Sequence, residues 1–166
     1  MSKLQEASTF GGTGWVPRVA SHRDDVEGGV LWHPCGVFDE VSPLREVLLS
    51  WPSERFAQPG DSDAALMLSW PDLGQLRRET SALKVFFEAQ GVVVHLHKPV
   101  PPPPLNYLFM RDLVFITPEG AILARPASPV RAAEPRVAAQ ALAQMGVPIL
   151  GVPTGSATFE GADALW

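Results

Sequence analysis

The chain has one cysteine, Cys35, so no disulfide can form within it, and that usage fits a reducing, cytoplasmic setting. It has no apolar run near the roughly 18 residues that a membrane-crossing helix needs. Residues 1–14 are polar and lack the apolar stretch of a secretory signal. The chain is therefore expected to be cytoplasmic, with no membrane partner. Charge is scarce as well: 19% of residues are charged, with 13 Lys and Arg against 18 Asp and Glu, giving a net charge of −5. Without clustered cations, no nucleic-acid partner is expected. The balance suits a small cationic ligand better.

The chain does have enough apolar material for one compact domain. Hydrophobic residues make up 46% of its 166 positions, a size at which about two-thirds of the unfolded surface is buried on folding. The 17 prolines and 14 glycines cluster around 11–17, 28–36, 52–60, 99–104, 126–135 and 151–155, and the pieces between them read as short elements. Residues 45–50 predict an apolar strand. Trp70-Pro71-Asp72 opens a helix on which Leu73, Leu76, Thr80, Leu83, Phe87 and Gln90 recur at the helical period, and Gly91 closes it. The β-branched run 92–97 predicts a strand. Residues 112–117 and 121–124 flank Pro118-Glu119-Gly120 as a hairpin. A second helix over 132–145 stops at Gly146, and 147–152 follows as a strand. Residues 1–30 read as an irregular arm and 31–166 as the domain. The similar wording of FFEAQGVVVHL and ALAQMGVPILGV suggests two copies of one α/β unit rather than a doubly wound sheet. The GGTG at 11–14 has neither the wording nor the following helix of a phosphate loop and reads as flexible arm.

Two polar clusters stand out. In PPPPLNYLFMRD, residues 101–112, four prolines stiffen the approach to Asn106, Phe109, Arg111 and Asp112. The prolines read as a connector rather than an SH3-type ligand. Near the other end lies FEGAD, residues 159–163. A carboxylate can grip a planar guanidinium through two charge-assisted hydrogen bonds, with an aromatic ring over the cation's face. Residue types alone leave a second reading open, with Arg111 and Asp112 as a surface ion pair and Glu160 as a solvated acid. His95 and His97 share one strand face, and His33 lies near Cys35. No third ligand is evident beside either pair, so no metal and no cofactor is expected. Cys35 reads as a small buried hydrophobe.

NYLFMRD at 106–112 and TFEGAD at 158–163 resemble two motifs of the arginine deiminase and amidinotransferase superfamily of guanidino-group-modifying enzymes. RPASPVRAAE at 125–134 is similar to that superfamily's segment with an Arg three residues before a Glu. CGVFDEVSPLREVLLSWP at 35–52 is similar to its opening strand. The resemblance spans residues 32–166. It implies a pentein-type α/β propeller of five ββαβ-like units, of which this chain would hold the first two. It also implies roles by position: Asp112 and Glu160 bind the guanidinium, with Glu160 also moving a proton, while Asn106 and Arg131 hold the amino-acid end of the substrate. Phe109 forms an aromatic wall, and Asp163 lies in the substrate-binding motif.

In this superfamily a downstream His and a C-terminal Cys perform the covalent step, a thiolate attacking the guanidinium carbon. Neither has a counterpart up to Trp166. The resemblance thus implies the guanidinium-binding N-terminal part of an arginine deiminase-type hydrolase acting on arginine or a substituted arginine. An amidinotransferase and a non-catalytic binding subunit are the alternatives. A complementary C-terminal part, or a second copy of the chain, is the expected protein partner.

Overall fold

A computed structural model describes residues 12–166. The first eleven residues of the expected arm lie outside the described residues, and with them most of the stretch read as lacking a secretory signal and the Gly11 that begins GGTG. The remainder of the arm contains a short helix, α1 (His22–Glu27), in which Ser21 and Asp24 form a reciprocal capping box. Its Val26 is buried.

Strands β1 (Glu46–Ser50) and β2 (Val93–His97) pair in parallel, with Glu46 opposite Val93 and Ser50 opposite His97. Parallel pairing needs a long crossover, supplied by α2 (Leu73–Ala89). The Asp72 side chain caps α2 by accepting from the Gln75 backbone N–H at 2.6 Å, and Gly91, at φ +78°, lets the chain turn out of the helix. The expected apolar face lies shallowly on its neighbours. Leu73, Leu76 and Phe87 are only half-buried, and no residue of α2 is fully buried.

The second unit is better packed. α3 (Met110–Leu113), a single helical turn, leads into β3 (Val114–Thr117). That turn is why the expected strand begins at Val114 rather than Asp112. β3 and β4 (Gly120–Leu123) form an antiparallel hairpin. A 3-10 turn at Pro129–Arg131 precedes α4 (Glu134–Met145), which crosses back to β5 (Ile149–Gly151), parallel to β4. Val137, Ala138 and Leu142 of α4 press onto Leu113, Val114, Ala121 and Leu123, with the fully buried Tyr107 at one end of this core.

The architecture is mixed α/β, with an open two-stranded sheet and an open three-stranded sheet of order β3-β4-β5. The second unit has the ββαβ order. The first shows only βαβ. The sheets do not close into a propeller among the described residues. No helix there is long and apolar enough to cross a membrane.

Candidate functional site

The two acidic motifs meet at one end of the hairpin, where β3 starts and β4 finishes. Asp112 sits in α3, immediately before β3. Beyond β4, the backbone of Arg125 pairs with Phe159 through two hydrogen bonds of 2.9 and 3.0 Å, and the Arg125 side chain donates to the Ala157 carbonyl at 2.7 Å. These contacts deliver Glu160 beside Asp112. Gly161 then passes against the chain between Arg111 and Val114. Arg111 does not pair with Asp112. It donates to the carbonyls of Gly161 and Ala164, the latter at 2.7 Å, and so clamps the turn that follows Glu160.

Arg131 lies at the centre. Its Nη1 donates to Asp112 Oδ2 at 2.7 Å and lies 3.6 Å from Glu160 Oε2. Its Nε donates to Glu134 Oε2 at 2.8 Å, and Nη2 makes a longer bond of 3.4 Å to the Asn106 carbonyl. The Phe109 ring, 51% exposed, has its centroid 6.0 Å from the guanidinium carbon. Burial works against the Arg131 charge, but the Asp112 and Glu134 carboxylates outweigh it and hold the pKa above its usual value. Arg131 is a permanent cation. Burial pushes the pKa of Glu134 upward, Arg131 opposes that shift, and the negative charges of Asp112 and Glu160 add to it.

The cluster therefore sets one guanidinium against three carboxyl groups. Even with Glu134 protonated, Asp112 and Glu160 outnumber the single cation. Their side chains are 25% and 30% exposed, and Asp112 Oδ1 and Glu160 Oε1 have no partner among the described residues. A cavity of about 330 Å³ reaches the cluster through Asn106 and Glu134 and is lined also by Trp70 and Arg55, while Asp112 and Glu160 do not line it. Asn106 Nδ2 donates to the Ala65 carbonyl at 2.8 Å, while the buried Asn106 Oδ1 and Glu134 Oε1 have no partner. A buried polar atom without a partner is costly, so these two acceptors suit a donor from outside the chain.

Five of the six expected site residues (Asn106, Phe109, Asp112, Arg131 and Glu160) share this cluster. Asp163 does not join it. Its side chain is exposed and forms no hydrogen bond or ion pair among the described residues. Glu134, fully buried against Arg131, joins the cluster as a residue that residue type alone does not mark. Its place three residues after an Arg, at the start of a helix, was the available signal. Neither Cys35 nor any histidine forms a hydrogen bond or ion pair with the cluster.

No protein-family model matches this sequence, and no curated protein compared with it matches. Solved structures do. A dimethylarginine dimethylaminohydrolase carrying an adduct with 4-chloro-2-hydroxymethylpyridine superposes with a TM-score of 0.58 at 18% identity, over 73% of this chain and 45% of that one. A histidine-to-glycine variant of dimethylarginine dimethylaminohydrolase with an S-methyl-L-thiocitrulline adduct gives 0.58 at 17%, over 72% and 45%. A cysteine-to-serine variant of the Pseudomonas aeruginosa enzyme in complex with citrulline gives 0.58 at 18%, over 71% and 45%. Over the superposed residues the mixed α/β fold of this chain is similar to part of the fold of these hydrolases. The chain spans less than half the length of each.

Proposed function

We propose that this chain binds the guanidinium of arginine or a substituted arginine through Asp112 and Glu160, as the N-terminal part of a pentein-type hydrolase. The observation that supports this best is the pair of carboxylates held on the same nitrogen of Arg131, each half-open and each keeping one free oxygen. The planar edge of a guanidinium, with two N–H groups, satisfies both free oxygens at once, and Phe109 lies ready to cover it. The solved structures of similar fold add support, since one is complexed with citrulline and another carries a thiocitrulline adduct.

In this reading residues 31–166 supply about two of five propeller units. Asn106 and the adjoining cavity receive the amino-acid end of the ligand. Glu160 moves a proton at the guanidinium. The attacking thiolate comes from a complementary part, because Cys35, the one thiol of this sequence, is not at the cluster. The test is calorimetric titration of the 166-residue chain with L-arginine and with citrulline, which is of similar shape but uncharged. Arginine is expected to bind at least about tenfold more tightly, the effect of one partly solvated charge contact. Equal binding of the two ligands contradicts the proposal.

A further inference from the structure

A second cluster lies away from the Arg131 site, and neither the reading of the sequence nor the proposed function uses it. His33 Nε2 and His95 Nε2 both meet one oxygen of Glu46, Oε2, at 2.9 and 2.8 Å. One ligand atom from each residue lies within 4.8 Å of the other two, and the two imidazole rings meet edge to face with centroids 6.1 Å apart. The sequence suggested His95 with His97, or His33 with Cys35, and neither pairing has a third ligand. The structure re-pairs them. His97 turns away to the Tyr107 hydroxyl at 2.6 Å. The missing acid is Glu46, the first residue of β1, which stands opposite Val93 in the parallel register and so reaches His95 diagonally, two residues along β2.

We propose that His33, Glu46 and His95 form a binding site for a divalent transition-metal ion of the zinc class. Two imidazole nitrogens and one carboxylate oxygen suit zinc or cobalt, whereas magnesium and calcium take oxygen ligands. Three protein ligands leave one or more positions for water, as in open rather than closed zinc sites. The three side chains are partly exposed, so an ion reaches them from solvent. The frame is also fixed before any ion arrives. Glu46 and His95 sit on paired strands, and the His33 backbone N–H donates to the Gly146 carbonyl at 2.9 Å. Metal–ligand distances near 2.0–2.2 Å need only small movements of atoms already this close. Cys35 is not counted as a ligand. Its Sγ turns to the His33 carbonyl at 3.6 Å and is not among the ligand atoms that lie within 4.8 Å of one another.

Because His33 is tied to the loop after α4 while Glu46 and His95 belong to the two-stranded sheet, a bound ion links the two units directly. Binding to the folded state alone then stabilises it by mass action.

The experiment uses the chain without any affinity tag, stripped with a chelator and titrated with Zn²⁺ by calorimetry, with thermal melts in Zn²⁺ and in Mg²⁺. We expect saturation at one Zn²⁺ per chain and a higher melting temperature in Zn²⁺ but not in Mg²⁺. Co²⁺ should give the visible absorption of a site with nitrogen and oxygen donors and no thiolate band. His33→Ala, His95→Ala and Glu46→Gln should each weaken Zn²⁺ binding by more than about tenfold, the lower end of what even outer-shell changes cost. His22→Ala and Cys35→Ser should leave it unchanged. If His95→Ala unfolds the chain, His33→Ala, in a loop, decides. Absence of saturable binding, Zn²⁺ affinity unaffected by His33→Ala, or an equal response to Mg²⁺ overturns the proposal.

Discussion

A methyl group added at Gly161 would lie 2.5 Å from the Arg111 carbonyl oxygen and closer still to that of Val114. The glycine of the Phe-Glu-Gly-Ala-Asp wording is therefore required by the close approach of two backbones, and Arg111 then locks the turn. Gly161→Ala is expected to cost about 3 kcal/mol, the upper end of overpacking losses, read as a lower urea midpoint. A loss below about 1 kcal/mol would mean that the turn shifts freely and does not fix Glu160. Arg131 gives a second residue-level test. Lysine cannot reproduce its fork of bonds to Asp112 and Glu134, so Arg131→Lys should weaken arginine and agmatine alike. A loss confined to arginine would instead place the ligand's carboxylate at Nη2. Motif wording made Asp112, Glu160 and Arg131 legible in the sequence. Residue types leave Arg111 looking like an ion-pair partner, because its partners are backbone carbonyls 50 and 53 residues away in the chain.

Among the elements, β2 is tied to the 3-10 turn at Leu105–Leu108 through His97 and the buried Tyr107. Burial lowers the pKa of His97 from its usual 6.5. The unfolded chain then binds the proton more readily than the folded one. The stability linked to this group is present above pH 6.5 and is lost as pH falls through that value toward the depressed one. Melting temperature should therefore decline below about pH 6.5, and His97→Gln should flatten that part of the profile relative to the unmodified chain. An identical slope in both would remove His97 as its source. Among the described residues, both long helices and the five strands can be read from periodicity and from Gly and Pro punctuation. The short pieces cannot. α1 is only six residues long and has one buried side chain, too little to show a helical period. α3 is one turn whose residues also suit a strand.

At the scale of the whole molecule, burial is uneven. The core is concentrated around α4 and the hairpin, while all three residues of β5 are exposed, as are Val85 and Phe86 on α2. Strands in parallel pairs are usually covered on both faces, and apolar edges of this kind promote association. The chain is expected to self-associate as concentration rises, and Leu150→Lys should reduce this in sedimentation experiments. A monodisperse monomer at high concentration would show that these faces need no cover. The same absence of a cysteine or histidine at the Arg131 cluster predicts no citrulline formation by the chain alone, since a guanidinium carbon needs an activated thiolate. Turnover that disappears in Cys35→Ser would contradict that placement of the nucleophile. The convergence of Asp112 and Glu160 on a ligand guanidinium is tested by arginine affinity in Asp112→Asn and Glu160→Gln. Each should lose about 1.5–3 kcal/mol, roughly tenfold or more, because the ligand cation then keeps only one of its two partly solvated carboxylate partners. Unchanged affinity in both variants, with the fold intact by circular dichroism, would contradict the account.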